Sequence, residues 1–358
     1  MTIFCLLFLL NDLQPTKYLL KEKLTPLWQS SLAPALAAVV VQDEGEPVTL
    51  VLGKRRLDGE PALATDAFHL GSNSKSMLAT GLGILVQKGK LNWNDPLKRL
   101  FPAVHPDLAK ATIEMLLSHF AGMPAFASEE EFADLPDYGR SSEQVMNFTK
   151  DLLKKPPHKS PGEGFGYSNA HYTVAAAVIE QLSGLSWQTF LQRELFEPLG
   201  IQAIYGWPAA NSEGVWGHRI ENGSLTPHSP QEDPLPAILA PAGDVALSME
   251  DYGRYLQMHL RGLRGKKTFL AQETIAALHA PFGGEGAFAK GWGLFELSGH
   301  RASVHTGSAG TFHAVVAVVP GLNLGVAAVG NAGTPETEQA VKQFVLNWIE
   351  ASTKRDEN

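Results

Sequence analysis

Ala314–Val319 (AVVAVV), a turn at Pro320-Gly321 and Gly325–Gly330 (GVAAVG) read as two strands near the C-terminus, and the position of their partners decides the fold. β-Branched and small apolar residues fill both runs, a composition suited to a packed, pleated surface. Ala302–His305, just upstream, reads as a third strand. The remaining strand signals stand at the opposite end of the chain. Ala37–Gln42 (AAVVVQ) and Val48–Leu52 (VTLVL) flank Asp43-Glu44-Gly45-Glu46-Pro47 and read as a hairpin. Between these groups the apolar spacing is helical, over Ser76–Lys88, Thr112–Ser118, Ser142–Leu153, Tyr172–Leu182 and Trp187–Phe196, with Gly or Pro breaks. A helical lead-in, Tyr18–Gln29, precedes the hairpin. A closing helix, Glu336–Ser352, carries Val341, Phe344, Val345 and Trp348 on one face behind a Thr334-Pro335 start signal. One sheet built from both ends of the chain, with a helical region inserted, is α+β; no βαβ alternation is present.

The chain has 358 residues, 44% hydrophobic and 18% charged, enough to bury roughly three quarters of its unfolded surface. No repeat, low-complexity tract or Pro/Ser-rich linker divides it. We therefore read residues 1–17 as an apolar N-terminal segment, 18–352 as one domain and 353–358 as a charged tail. Within the domain, the sheet-bearing part takes about 18–90 and 236–352 and the helical part about 91–235. The net charge of -8, with no long run of Lys or Arg, argues against nucleic acid as a partner. The single cysteine, Cys5, allows no intramolecular disulfide. Twelve scattered histidines, without HExxH or CxxC, lead us to expect neither metal nor cofactor.

Ile3–Leu10 (IFCLLFLL) has the length of a signal-peptide core, but no Lys or Arg precedes it and no A-x-A site follows. It is too short to span a bilayer. Export or membrane attachment through residues 3–10 stands beside a packed N-terminal turn or a misassigned start; the reading leans to the cytoplasm and leaves oligomeric state open.

Three motifs carry chemistry. In His69-Leu70-Gly71-Ser72-Asn73-Ser74-Lys75, Ser72 and Lys75 form S-x-x-K at the mouth of an apolar helix. A spacing of three puts both side chains on one helix face, so the lysine reaches the hydroxyl, and the helix N-terminus favours an alkoxide. The bland alternative is a capping serine beside a solvent-facing lysine. Pro161–Asn169 (PGEGFGYSN) presents Tyr167 and Asn169 two residues apart ahead of a helix. A tyrosine near an ammonium gives up its proton more readily, which suits a base for serine; a capping Ser168 or Asn169 beside a core tyrosine is the bland alternative. Val304–Gly310 (VHTGSAG) ends a strand in small residues, leaving an edge where substrate backbone could lie or simply a turn.

In this order, GSNSK, YSN and HTG resemble the serine β-lactamase and penicillin-binding protein family, closest to its class C β-lactamase, DD-carboxypeptidase and related esterase branch. Residues 89–102 (GKLNWNDPLKRLFP), 112–124 (TIEMLLSHFAGMP), 161–200, 240–257 and 321–333 fit the same pattern, so the likeness covers about residues 20–350. It implies a mainly antiparallel sheet flanked by helices beside an all-helical subdomain, with the site between them. It implies a serine hydrolase acting through an acyl-enzyme on a small-molecule or peptide substrate. Ser72 would be the nucleophile, with Lys75 and Tyr167 handling its proton. Asn169 would hold the substrate amide or acyl side chain, and His305, Thr306 and Gly307 would line the docking strand. The N–H groups of Ser72 and Ser308 would form the oxyanion hole.

The sequence departs from the family pattern at His305, which replaces the lysine usual in β-lactamases, at Phe120-Ala121, which replaces Thr-Ser, and in lacking an SDN triplet. An unshifted histidine is mostly neutral at pH 7, which weakens the charge facing a substrate carboxylate. KM for a carboxylate-bearing substrate is then expected to rise between about pH 5.5 and 7.5. A G-x-S-x-G elbow is absent, which disfavours an α/β-hydrolase. The competing class is a non-catalytic penicillin-binding sensor or scaffold on the same fold. His119 reads as a structural hydrogen-bonding group. His69, His171 and His313 lie near enough to the motifs to line a cleft, and 281–293 reads as a rim or a plain connection.

Overall fold

Strands that are apolar at consecutive positions need cover on both faces, and the fold supplies it. The computed structural model describes residues 16–128, 130–131, 139, 141–209, 213–229, 236–284 and 286–356. Ile3–Leu10 and Cys5 lie outside the described residues, as does the end of the charged tail. Twelve strands are described: β1 (Ala35–Val41), β2 (Val48–Gly53), β3 (Phe68–His69), β4 (Ile204–Tyr205), β5 (His218–Glu221), β6 (Ser224–Pro227), β7 (Val245–Leu247), β8 (Phe288–Ala289), β9 (Trp292–Leu297), β10 (His300–Ser308), β11 (His313–Val319) and β12 (Leu324–Gly330). Seven form one antiparallel sheet in the order β2-β1-β12-β11-β10-β9-β8. The N-terminal hairpin therefore joins the C-terminal strands directly, with Val39 opposite Ala327.

The period of two along each strand sorts side chains between two layers. Leu36, Ala38 and Val40 of β1 join Val315, Ala317, Val326 and Ala328 under the helices Lys17–Ser30 and Pro335–Asp356, where Leu20, Leu24, Phe344 and Trp348 close the layer. Ala37, Val39 and Val41 face the other way with Val316, Val318, Ala327 and Val329. They meet the apolar side of Ser74–Gln87, Met249–Leu263 and the helical middle of the chain. This second layer matters for function, because Ser74–Gln87, which carries Lys75 and starts just after Ser72, is buried along nearly its whole length.

The expected elements are present, with no end shifted by more than four residues and Ser142–Leu153 matching at both. Other elements were not read from sequence, among them β9, which follows a glycine-rich segment, Met249–Leu263, which packs on β1 and β12, and Gln272–Leu278, which packs on Met249–Leu263 and Ser74–Gln87. Among the described residues, no helix is long and apolar enough to cross a membrane.

Candidate active site

The S-x-x-K motif is presented by a tight turn wedged against the sheet. β3 pairs with β7, and the chain then makes a single 3-10 turn, Gly71–Asn73, before the helix Ser74–Gln87 begins. Gly71 has φ +52°, and a Cβ there would sit 2.6 Å from the Ser308 nitrogen. On the facing strand, a Cβ on Gly307 would lie 2.0 Å from the Leu70 oxygen. Only glycine at both positions lets β10 come this close to the turn. Gly307→Ala is accordingly expected to lower stability by about 1–3 kcal/mol, the usual penalty for forcing a group into a packed contact. It should also depress activity more than a neutral surface change; urea melts and kcat/KM check this together.

The turn is pinned from behind. His69 Nδ1 accepts the Gly71 N–H at 3.2 Å, and Nε2–H donates to the buried Asp244 carboxylate at 2.9 Å. Ser74 Oγ donates to the Gly71 carbonyl at 2.7 Å and accepts from Val245 N–H at 3.0 Å. Ser76 Oγ donates to the Asn73 carbonyl. Of the three serines in this stretch, Ser74 and Ser76 are buried and committed to backbone, whereas Ser72 is open to the cleft.

Ser72 Oγ lies 2.7 Å from the Tyr167 hydroxyl and 2.9 Å from Lys75 Nζ. Lys75 is fully buried, and its amine also contacts Asn169 Oδ1 at 2.8 Å and the Ala242 carbonyl at 2.7 Å. The orientation of the Asn169 amide is fixed, because Nδ2 donates to the Phe126 carbonyl at 2.6 Å. Burial holds the Lys75 pKa well below that of a free lysine, so the neutral amine is accessible. A neutral amine has two N–H bonds and one lone pair. The Asn169 and Ala242 oxygens can only accept, so they take the two N–H bonds and leave the lone pair facing the Ser72 hydroxyl.

Tyr167 behaves differently from the sequence expectation. Burial pushes its hydroxyl up to about 12, against a smaller lowering by the Ser72 bond. The phenol keeps its proton and donates to Ser72 Oγ. The expectation of an ammonium easing that proton away is thus corrected for the resting site: Lys75 lies over the ring, 4.9 Å from its centre, and is itself inclined to be neutral. Asn169 is committed at both amide atoms, which makes it first a positioning group for Lys75; one N–H remains for substrate.

β10 brings the third motif to the same place. Ala309 N–H bonds the Phe312 carbonyl, so in the alternating antiparallel pattern Thr306 and Ser308 turn their N–H and C=O groups away from β11. Along β10, β9 pairs only with residues 300–304, and among the described residues no strand pairs with the edge beyond. The amide nitrogens of Ser72 and Ser308 both border the junction between turn and strand. His305 Nδ1–H donates to the Thr306 carbonyl at 2.7 Å, which places the neutral ring's lone pair on Nε2. Surrounding protein, then Lys75 whenever it is protonated, press its pKa down to about 4, opposed by the Thr306 bond. The ring is only partly buried, and solvent in the cleft tempers the shift. The expected window of pH 5.5–7.5 for His305 is corrected downward, and the neutral ring faces the cleft with an acceptor rather than a donor.

Behind Tyr167, His119 Nδ1 accepts the Ser168 N–H at 3.1 Å and a 3.2 Å bond from His171, whose Nε2 accepts from Met123 N–H. His69 and His171 are buried in these networks, and His313 senses Glu338 and Lys342 of the last helix. The 281–293 segment does form a rim: Phe288, Ala289 and Gly291–Gly293 border a cavity of about 210 Å³ beside Tyr167. Phe120 stacks on Phe282 at 4.3 Å, a packing role for the departure seen in sequence. Sequence reading missed the Ala242 carbonyl, which carries no side-chain signal, and the His69–Asp244 pair, separated by 175 residues. Among the described residues, no group of three or more His, Cys, Asp or Glu side chains is placed to hold a metal ion.

A family model described as Beta-lactamase matches residues 20–346. The chain is 26% identical over 317 residues to the Unguisins hydrolase ungD′ of Aspergillus campestris, covering 83% of this chain and 58% of that protein. It is 26% identical over 314 residues to Penicillin-binding protein 4 of Amycolatopsis lactamdurans, covering 83% and 81%. The structure of an octameric penicillin-binding protein homologue from Pyrococcus abyssi superposes with a TM-score of 0.77 at 23% identity, over 93% of this chain and 77% of that one. That last likeness concerns the fold.

Proposed function

The chain belongs to the β-lactamase family, and from that premise we propose that it is a serine hydrolase working through an acyl-enzyme on esters and amides, with β-lactams as poorer substrates. The observation that supports this best is the contact set of Lys75. Two obligate acceptors orient its amine so that the third contact, at 2.9 Å, is with Ser72 Oγ. A general base must be within hydrogen-bond reach of the proton it removes.

In the proposed reaction Ser72 Oγ attacks the carbonyl carbon as its proton passes to neutral Lys75. The developing oxyanion is held by the N–H groups of Ser72 and Ser308. The bond to the leaving group breaks as Tyr167 gives that group its proton. This leaves an ammonium on Lys75 and a phenolate on Tyr167, a pair favoured by their 4.9 Å separation from amine to ring centre. Water then loses a proton to Tyr167 and attacks the acyl carbon; Lys75 returns a proton to Ser72 Oγ, and every group regains its starting state. Thr306 and Gly307 would line the edge along which substrate backbone lies.

Turnover of a p-nitrophenyl ester tests the proposal against a sensor on the same fold. A hydrolase releases many equivalents of nitrophenol per chain; a sensor releases at most one. Within the substrate range, small aryl esters should exceed nitrocefin in kcat/KM. A β-lactam brings a carboxylate to β10, where His305 supplies neither a permanent charge nor, as the neutral tautomer, a donor. For the same reason KM of a carboxylate-bearing substrate should stay level between about pH 5.5 and 7.5. Faster nitrocefin turnover, or a KM climbing through that window, would contradict this role for His305.

A further inference from the structure

Resting on the acyl-enzyme reading above, we propose that the cavity beside Tyr167 is a leaving-group pocket that selects an uncharged aromatic or large apolar alcohol or amine. Proton accounting places the leaving atom first. Lys75 takes the serine proton, so the proton for the departing group comes from Tyr167, and the leaving atom must lie within hydrogen-bond reach of that hydroxyl. Tyr167 lines the cavity, whereas Asn169 and Ser308 do not. A group departing past Tyr167 enters this space, and the acyl group stays with Ser72.

The lining then states the chemistry. Phe165 and Phe288 stack with ring centres 3.7 Å apart and planes 13° apart, and Trp292 and His119 complete much of the wall. Phe165 comes from the loop ahead of Tyr167, and Phe288 from β8, so two distant segments present a continuous aromatic surface. No Lys or Arg lies among the described residues that line it. The polar groups on the sheet side are the Thr306 hydroxyl, which is uncharged, and His305, whose Nδ1–H is spent on the Thr306 carbonyl. The lone pair on Nε2 repels a carboxylate and accepts from a hydroxyl or amide N–H. Pockets of this kind, mostly apolar with a few fixed polar groups, bind by burial and orient by those groups.

The test uses the intact chain and four acetate esters that share one acyl group: methyl, benzyl, 4-carboxybenzyl and 4-(hydroxymethyl)benzyl. Benzyl acetate should exceed methyl acetate in kcat/KM by about 10- to 100-fold, the range for burying a Phe-sized group. The carboxylated ester should fall at least about tenfold below benzyl, and the hydroxymethyl ester should match or exceed it. Phe288→Leu and Phe288→Ala should each shrink the benzyl-to-methyl ratio, progressively; a ratio is unaffected by any loss of folded protein. Equal kcat/KM for methyl and benzyl esters, or a ratio unmoved in both variants, would overturn the pocket while leaving the hydrolase reading intact. No turnover of any ester, together with no labelling of Ser72 by a fluorophosphonate, would overturn both.

Discussion

Ser72→Ala should yield a folded protein whose kcat toward any ester substrate is lower by a factor on the order of 10⁶, the scale seen when a serine hydrolase loses its nucleophile. The other two serines of the motif offer no substitute: Ser74 Oγ bridges Gly71 and Val245 and Ser76 Oγ is bonded to Asn73, and both are buried. Folding should survive because Ser72 faces the cleft, where water can replace its contacts with Tyr167 and Lys75. The helix behind it is anchored by its own apolar face, with Met77, Leu78, Leu82 and Leu85 buried. Any residual rate should come from the backbone donors, which in other enzymes alone keep roughly 10³–10⁴ over water. Retention of more than about a hundredth of the parent kcat would require a nucleophile elsewhere, far outside that scale.

Lys75→Arg should be as inactive as Lys75→Ala, about 10²–10⁴-fold down in kcat, although it preserves the charge. The argument turns on the lone pair. A guanidinium stays protonated at any accessible pH and has no acceptor to offer the Ser72 hydroxyl. If Lys75 acted only as a fixed positive charge, arginine would retain much of the activity. Tyr167→Phe should fall in the same range, and the double variant Lys75→Ala/Tyr167→Phe should be far less than multiplicatively worse, since both groups serve one proton circuit. The pH profile follows with its sign. The base form of Lys75 is unprotonated, so kcat/KM drops on the acid side, with its midpoint well below the 10.5 of free lysine because burial lowers that pKa. Tyr167 is needed protonated, so the alkaline loss waits for a pH approaching about 12. An acid limb near 10.5 would mean that burial does not govern Lys75.

Much of this was legible in the sequence, and the reasons differ by element. The sheet could be read because β11 and β12 are apolar at consecutive positions, a pattern that requires cover on both faces and partners of the same kind. β1 and β2 supplied those partners from the other end of the chain. Met249–Leu263 was readable in principle: Ser248 caps it by accepting from Asp251 N–H, and acidic residues fill its first turn. β9 offers only six residues after a glycine-rich stretch, too little to separate strand from loop. The convergence of Ser72, Lys75, Tyr167 and Asn169 was implied by the family resemblance that the motif order carries, but their protonation was not. Burial sets the states of Lys75 and Tyr167, and a single bond from His305 to the Thr306 carbonyl sets its tautomer. A main-chain carbonyl such as Ala242 has no signature in one-letter code.

The most direct test of the account is the mass of the protein caught in the act. Parent chain mixed with a slowly hydrolysed ester, or with a fluorophosphonate, and examined by intact-mass and peptide analysis should gain one acyl or phosphonyl group. That group should map to Ser72, and Ser72→Ala should gain none under the same conditions. An adduct on any other residue, or steady ester turnover with an unmodified Ser72 throughout, would contradict the acyl-enzyme on which the account rests.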